Sequence, residues 1–206
     1  MRRRTKVILA LAVLAAIGGT LGLVRTLRYG FSARDEPTAL EAFMAKTMRH
    51  YAVPSDLRDK KNPLPLSRET LAAGRAHFAD HCASCHGNDG KGQTNIGRAF
   101  YPKAPDMTLA ATQSQGDGEL FATIENGIRL TGMPAWGNGT ADSAAGTWAL
   151  VHFIRHLPQV TPEELEEMKA RNPKTREEMV AEDQERTFLE GEEAAPPSSA
   201  GAPMHH

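Results

Sequence analysis

The sequence predicts an all-α protein: a small helical body carried behind an N-terminal helix of membrane-spanning length. Three observations lead there. Apolar residues recur at helical spacing, capping residues stand ahead of several such runs, and no stretch alternates as a strand would. With 206 residues, 40% of them apolar and 6% aromatic, the chain holds one small domain plus extensions, which excludes a large multidomain enzyme. Two cysteines are too few for a disulfide-built scaffold. A formal charge of −1 lacks the basic excess of a nucleic-acid binder, so no nucleic-acid partner is expected.

The neutral average hides a gradient. Residues 1–30 carry six positive and no negative charges, 31–67 six against five, 68–157 seven against eight, and 158–206 five against twelve. The chain therefore divides into a basic signal-anchor segment (1–30), a short helix and linker (31–66), a body (67–158) and an acidic tail (159–206).

Residues Val7 to Val24 form eighteen consecutive uncharged positions, preceded by Arg2, Arg3, Arg4 and Lys6 and followed by Arg25 and Arg28. At about 1.5 Å per residue this run is at the lower edge of what crosses a bilayer. The heavier positive charge on its N-terminal side puts the N-terminus in the cytoplasm and the rest on the outer, periplasmic side of a bacterial cytoplasmic membrane. A cleaved secretory signal starts the same way, but this run is longer and no convincing Ala-x-Ala follows it, which favours a retained anchor.

Leu40, Phe43, Met44, Thr47 and Met48 recur at helical spacing between Asp35 and Tyr51, predicting a short amphipathic helix that ends before Pro54. Pro54, Pro63 and Pro65 then mark a linker. Ser67 is the expected N-cap of a helix from Arg68 towards Cys82, packed through Leu71, Gly74, Phe78 and Ala79. Asp117 is expected to start a second helix that Gly127 stops, and Asp142 a third that runs through Trp148, Val151, Ile154 and Leu157 to Pro158. In the tail, Thr161 with Glu164 and Thr175 with Glu178 read as capping boxes of short exposed helices. Glu192 to His206 has too little apolar content to order itself, and the final His205-His206 pair is read as solvated.

The chemistry is concentrated in Cys82-Ala83-Ser84-Cys85-His86, the C-x-x-C-H pattern of c-type haem attachment. Two thiols three positions apart reach the two vinyl groups on one porphyrin edge, and the next side chain then lies under the iron. Structural zinc would need about four ligands, and no other cysteine exists. A thioredoxin-type dithiol would need a βαβ setting, and a plain disulfide would leave the adjacent histidine unexplained. Met133, in Gly132-Met133-Pro134, is the candidate second axial ligand, because glycine and proline present its thioether on a stiff turn. Met107, in Pro105-Asp106-Met107, is the rival. Arg98, Tyr101 and Trp136 are candidates to bond haem propionates, whereas His77, His81, His152 and His156 read as solvated helix-surface residues.

On these residues the segment 67–157 resembles the class I cytochrome c family. In that family an N-terminal helix crosses a C-terminal one, with a glycine, an aromatic and the first haem cysteine spaced four residues apart, a spacing that Gly74, Phe78 and Cys82 match. The resemblance implies an aromatic partner at Phe153 or Trp148, a carbonyl near Pro102 or Pro105 accepting the Nδ1 proton of His86, and one covalent haem c. Axial imidazole and thioether saturate the iron, so the expected role is one-electron transfer between redox proteins or respiratory complexes, not catalysis. Two alternatives stand beside a free tethered carrier: a haem subunit of a larger oxidoreductase, and a ligand sensor or peroxidase in which Met133 leaves the iron.

Overall fold

Capping and burial set the element ends in the computed structural model, which describes residues 2–29, 32–174 and 176–189. All regular structure among these residues is helical. The expected capping box at Thr175 and the histidine pair at 205–206 lie outside the described residues.

Helix α1 (Arg2–Tyr29) leaves its leucines, isoleucines and valines exposed along its length. Two of its hydroxyls are satisfied within the helix, Thr20 Oγ1 donating to the Ala16 carbonyl at 2.9 Å and Thr26 Oγ1 to that of Gly22 at 3.0 Å. That economy suits a medium without water. It is, among the described residues, the one helix long and apolar enough to cross a bilayer.

Helix α2 (Ala39–Ala52) is started by Thr38, whose hydroxyl accepts the Glu41 N–H while the Glu41 carboxylate accepts the Thr38 N–H. It buries none of its residues. The proline-marked stretch that follows contains a single turn, α3 (Ser55–Arg58), and is bonded to the body. Asn62 Nδ2 donates to the Trp148 carbonyl at 2.8 Å, and the Asn62 N–H donates to the Asp117 carboxylate at 3.2 Å.

Helix α4 (Arg68–His77) begins on Ser67 as its composition predicts, the hydroxyl accepting the Thr70 N–H at 3.1 Å. It does not run on as one α-helix to Cys82. Residues Phe78–Cys82 form a π-helical turn, and α5 (Ala83–His86) completes the segment. A π-turn inserts one residue, so everything beyond it is rotated by about 100° relative to a continuous α-helix. Phe78 and Ala79 stay in the core while the cysteines and His86 swing to its edge.

The remaining helices are α6 (Ala110–Gln113), α7 (Asp117–Asn126), α8 (Ala141–His156) with a 3-10 turn at Leu157–Gln159, α9 (Pro162–Lys169) and α10 (Arg176–Leu189). Two expected caps move. Gly116, not Asp117, precedes α7, because Glu119 turns back to accept the Gly116 N–H at 3.0 Å while Asp117 is drawn to Arg155 at 2.9 Å. Thr140, not Asp142, caps α8 by accepting the Ser143 N–H at 3.2 Å. In both cases a neighbouring side chain satisfies the helix end better than the acid does.

The core forms where α4 crosses α8. Gly74 permits the crossing, since a Cβ there would collide with the Ala149 carbonyl. Phe78 meets Phe153 at a ring separation of 5.2 Å, which identifies Phe153 as the aromatic partner. Trp148 instead stacks on Phe121 at 4.2 Å. Phe78 and Phe153 are 1% and 0% exposed, and burying each such ring contributes about 1.5–3 kcal/mol. The acidic segment adds to this core: Met168 of α9 is fully buried, held by Arg75 pairing with Glu164 (2.9 Å) and Glu167 (2.5 Å).

Candidate haem site

Cys82 closes the π-turn and Cys85 and His86 lie on α5, so the local helix places all three on one short segment. Both cysteines are free thiols and half-buried, with Cys82 packed against the core. Burial, with Cys85 beside it, pushes the Cys82 thiol up to about 12. His86 ends α5, and Gly87 breaks the helix with its N–H donated to the Ala83 carbonyl at 2.8 Å.

The His86 ring is set up differently from expectation. Its Nδ1 is buried and without a hydrogen-bond partner, so neither the Pro102 nor the Pro105 carbonyl accepts from it. The backbone around the ring is committed elsewhere. The His86 carbonyl accepts the Gly92 N–H at 2.7 Å, the Cys85 carbonyl accepts Thr94 Oγ1 at 2.9 Å, and Gly97 donates to that same hydroxyl at 2.8 Å. These bonds tie residues 92–97 to α5. Desolvation lowers the His86 pKa, which favours the neutral imidazole a metal needs. A buried ring nitrogen with no partner, one position after a free cysteine pair, fits a covalently attached haem.

Met133 sits in a loop pinned at both ends. Gly127 stops α7 at φ +64°, and a Cβ there would lie 2.5 Å from the Pro134 carbonyl carbon, so the returning strand of the loop passes directly over it. Trp136 and Gly137 then donate to the Ile124 and Glu125 carbonyls, each at 3.1 Å. Inside the loop, the Ile128 N–H donates to the Met133 carbonyl at 3.1 Å and the Met133 N–H donates to Thr131 Oγ1 at 3.1 Å. Both Met133 and Cys82 lie against the core cluster. The rival, Met107, is itself a core residue at 7% exposure, its N–H donated to the Gly90 carbonyl at 2.8 Å.

The two loops meet where Gly132 lies against the Phe100 ring, a contact that no sequence signal announced. Nor did any mark Thr94, an ordinary loop threonine whose hydroxyl ties Cys85 to Gly97. The propionate candidates have other partners: Tyr101 donates to Glu41 at 2.9 Å, Arg98 to Asn95 at 3.2 Å, and Trp136 meets His81 edge-on at 5.2 Å. Of the four histidines read as solvated, only His81 is mainly exposed. His152 Nε2 donates to the Leu64 carbonyl at 2.9 Å, His156 pairs with Glu164 at 2.9 Å, and half-buried His77 is held below its usual pKa by desolvation with His81 alongside. Packing of residues 64 and 161–168 onto α8 covers faces that looked solvent-facing in isolation.

Residues 69–154 match the family model described as cytochrome c oxidase, cbb3-type, subunit III. Curated relatives include the cbb3-type cytochrome c oxidase subunit CcoP of Rhodobacter capsulatus, 35% identical over 39% of this chain and 25% of that protein. Subunit FixP of Rhizobium etli is 33% identical over 42% of this chain and 27% of its own length. CcoP of Azospirillum brasilense is 28% identical over 48% and 32%. The chain thus spans about a quarter to a third of these relatives' length. Among solved structures, a chain of the reducing HAO-like protein complex of Kuenenia stuttgartiensis aligns with a TM-score of 0.39 at 21% identity, covering 48% of this chain and 49% of that one. The segment 69–154 is therefore similar to part of a cbb3-type oxidase subunit.

Proposed function

We propose that this chain is a membrane-tethered c-type cytochrome that relays single electrons, as a haem subunit of a respiratory oxidoreductase. Cys82 and Cys85 would hold one haem covalently, and His86 and Met133 would ligate its iron. The observation that carries the reading is the buried, unpartnered Nδ1 of His86 directly after two free thiols. The oxidase-subunit names of the relatives favour a subunit over a freely exchanging carrier.

Bound here, haem c supplies a one-electron ferric–ferrous couple. The chain contributes the rest. Cys82 and Cys85 fix the ring's position covalently. His86 presents a neutral nitrogen, and the doubly pinned 127–137 loop holds the Met133 thioether without a helix to unfold first. With His86 and Met133 both ligating, the iron would offer a substrate no open position, which favours electron transfer over sensing or peroxidase chemistry. The charge asymmetry around α1 favours the body on the periplasmic side. The divisions 1–30, 31–66, 67–158 and 159–206 then correspond to anchor, connecting helix and linker, cytochrome domain and acidic extension.

The test is expression with and without a c-type maturation system. Maturation is expected to give a haem-staining band on a denaturing gel and the weak red charge-transfer band of methionine–iron coordination. Met133→Ala should abolish that optical band while leaving the stained band intact, and Cys82→Ala with Cys85→Ala should abolish both. A colourless matured protein, or a charge-transfer band that survives Met133→Ala, overturns the ligand set. Purification in mild detergent distinguishes the roles: fixed stoichiometry with other redox subunits supports the subunit, and isolation alone supports the free carrier.

A further inference from the structure

Helix α2 carries an apolar stripe that the other described residues do not cover. Leu40, Phe43, Met44, Met48 and Tyr51 are 68%, 67%, 51%, 68% and 77% exposed. At 100° per residue they share an arc of about 140°, with half-buried Ala42 and Arg49 roughly opposite and half-buried Thr47 the one polar position within it. The helix is nonetheless well built, since Thr38 and Glu41 form a complete capping box. A capped helix whose apolar face the described residues leave open offers that face to a further occupant.

We infer that this stripe lies in the headgroup–acyl boundary of the same bilayer that α1 crosses, so that α2 is an interfacial helix laying the cytochrome domain on the membrane in a fixed orientation. The inference rests on the membrane-tether reading. Connectivity selects the bilayer as the occupant. The nine residues 30–38 between α1 and α2 reach about 30–35 Å even when fully extended, so α2 cannot leave the neighbourhood of the membrane surface. Apolar insertion, not charge, is the driving force, because residues 34–51 carry Arg34, Lys46 and Arg49 against Asp35, Glu36 and Glu41.

Polar contacts on the flanks of the stripe transmit this orientation to the domain. Glu41 accepts from Tyr101, which lies in the loop beyond His86, and His50 Nδ1 contacts Glu119 of α7 at 2.6 Å. The His50 carbonyl accepts from Arg58 at 3.1 Å, and Lys103 pairs with Glu36. With α2 flat on the bilayer, these contacts fix which side of the cytochrome domain faces lipid and so which side an electron partner reaches.

The experiment places p-benzoylphenylalanine at Leu14, Phe43, Ala45 or Met48 in the full-length holoprotein, reconstituted in vesicles of phosphatidylethanolamine with a minor share of phosphatidylglycerol. After irradiation, adducts are read by mass spectrometry. Phe43 and Met48 are expected to give about five-fold or more lipid adduct than Ala45, unchanged in high salt. Lipid adduct at Leu14 with none above the Ala45 level at Phe43 and Met48 overturns the inference and leaves the anchor standing. Adducts from Phe43 or Met48 to a second copy, or in native membranes to another protein in place of lipid, also overturn it. No lipid adduct even at Leu14 overturns the tether itself and the inference with it.

Discussion

Helices α2 and α8 are built alike and used in opposite ways. Each starts on a threonine whose hydroxyl accepts an N–H three residues on, and each spaces its large apolar residues at helical intervals. Yet α8 buries seven residues, from Thr147 to Ile154, and α2 buries none. Periodicity says that a helix has an apolar face, while the neighbours decide whether the chain itself covers it. Around α8 the neighbours are α4, which Gly74 admits to backbone contact, and α7, whose Glu125 accepts from the Thr147 hydroxyl at 2.6 Å. Around α2 they are a few polar side chains.

The sharpest way to break the contrast is to remove the α8 anchor. Phe153→Ala empties the site against Phe78 and is expected to destabilise the holoprotein by about 3–5 kcal/mol in denaturant titration. A loss below about 1 kcal/mol would mean that the α4–α8 crossing does not dominate stability.

Acid should loosen the attachments of α8 next. Burial pushes Asp117 and Glu164 up, but hydrogen bonds from Arg155 and the Asn62 N–H to Asp117, and from the Thr161 N–H and His156 to Glu164, outweigh it and hold both below the usual carboxylate range. A carboxylate depressed in the folded state stabilises above its unfolded pKa of about 4 and loses that contribution as pH falls through the folded value. Thermal midpoints are therefore expected to fall gently below about pH 6.5, where half-buried His77 resists protonation, and more steeply below about pH 4 as these carboxylates protonate. In Asp117→Asn combined with Glu164→Gln, the midpoint at pH 7 should be lower and the acid drop shallower.

The smallest effect belongs to α2. Phe43→Ser with Met48→Ser in detergent should change unfolding free energy by no more than about 0.5 kcal/mol, because both side chains already face outwards. A larger loss would show that the stripe packs within the protein after all.

The elements that periodicity and local capping define were legible beforehand: the helix beginning at Ser67, those at 117–126 and 141–156, the capping box at Thr161, and the Gly74–Phe78 packing spacing. The cysteine pair and His86 were equally plain, since a spacing of three positions is a local property of the chain. Long-range competition was not legible. Asp117 and Asp142 have the right chemistry to cap, but Arg155 claims the first and Thr140 supersedes the second. The π-turn at Phe78–Cys82 leaves no mark, because inserting a residue into the hydrogen-bond ladder changes no residue type. Nor does the sequence mark the tie of Thr94 to the Cys85 carbonyl, nine positions back along the chain beside His86.

Met168 reaches the core from a segment whose composition advertises only solvated acids. A shortened protein ending at Pro158 would therefore leave a greasy socket open beside α4 and strip Arg75 of both its carboxylates. Removal of α9 is expected to turn a monodisperse cytochrome into one that self-associates, and any trimming for biophysical work should spare the chain at least through Asn172.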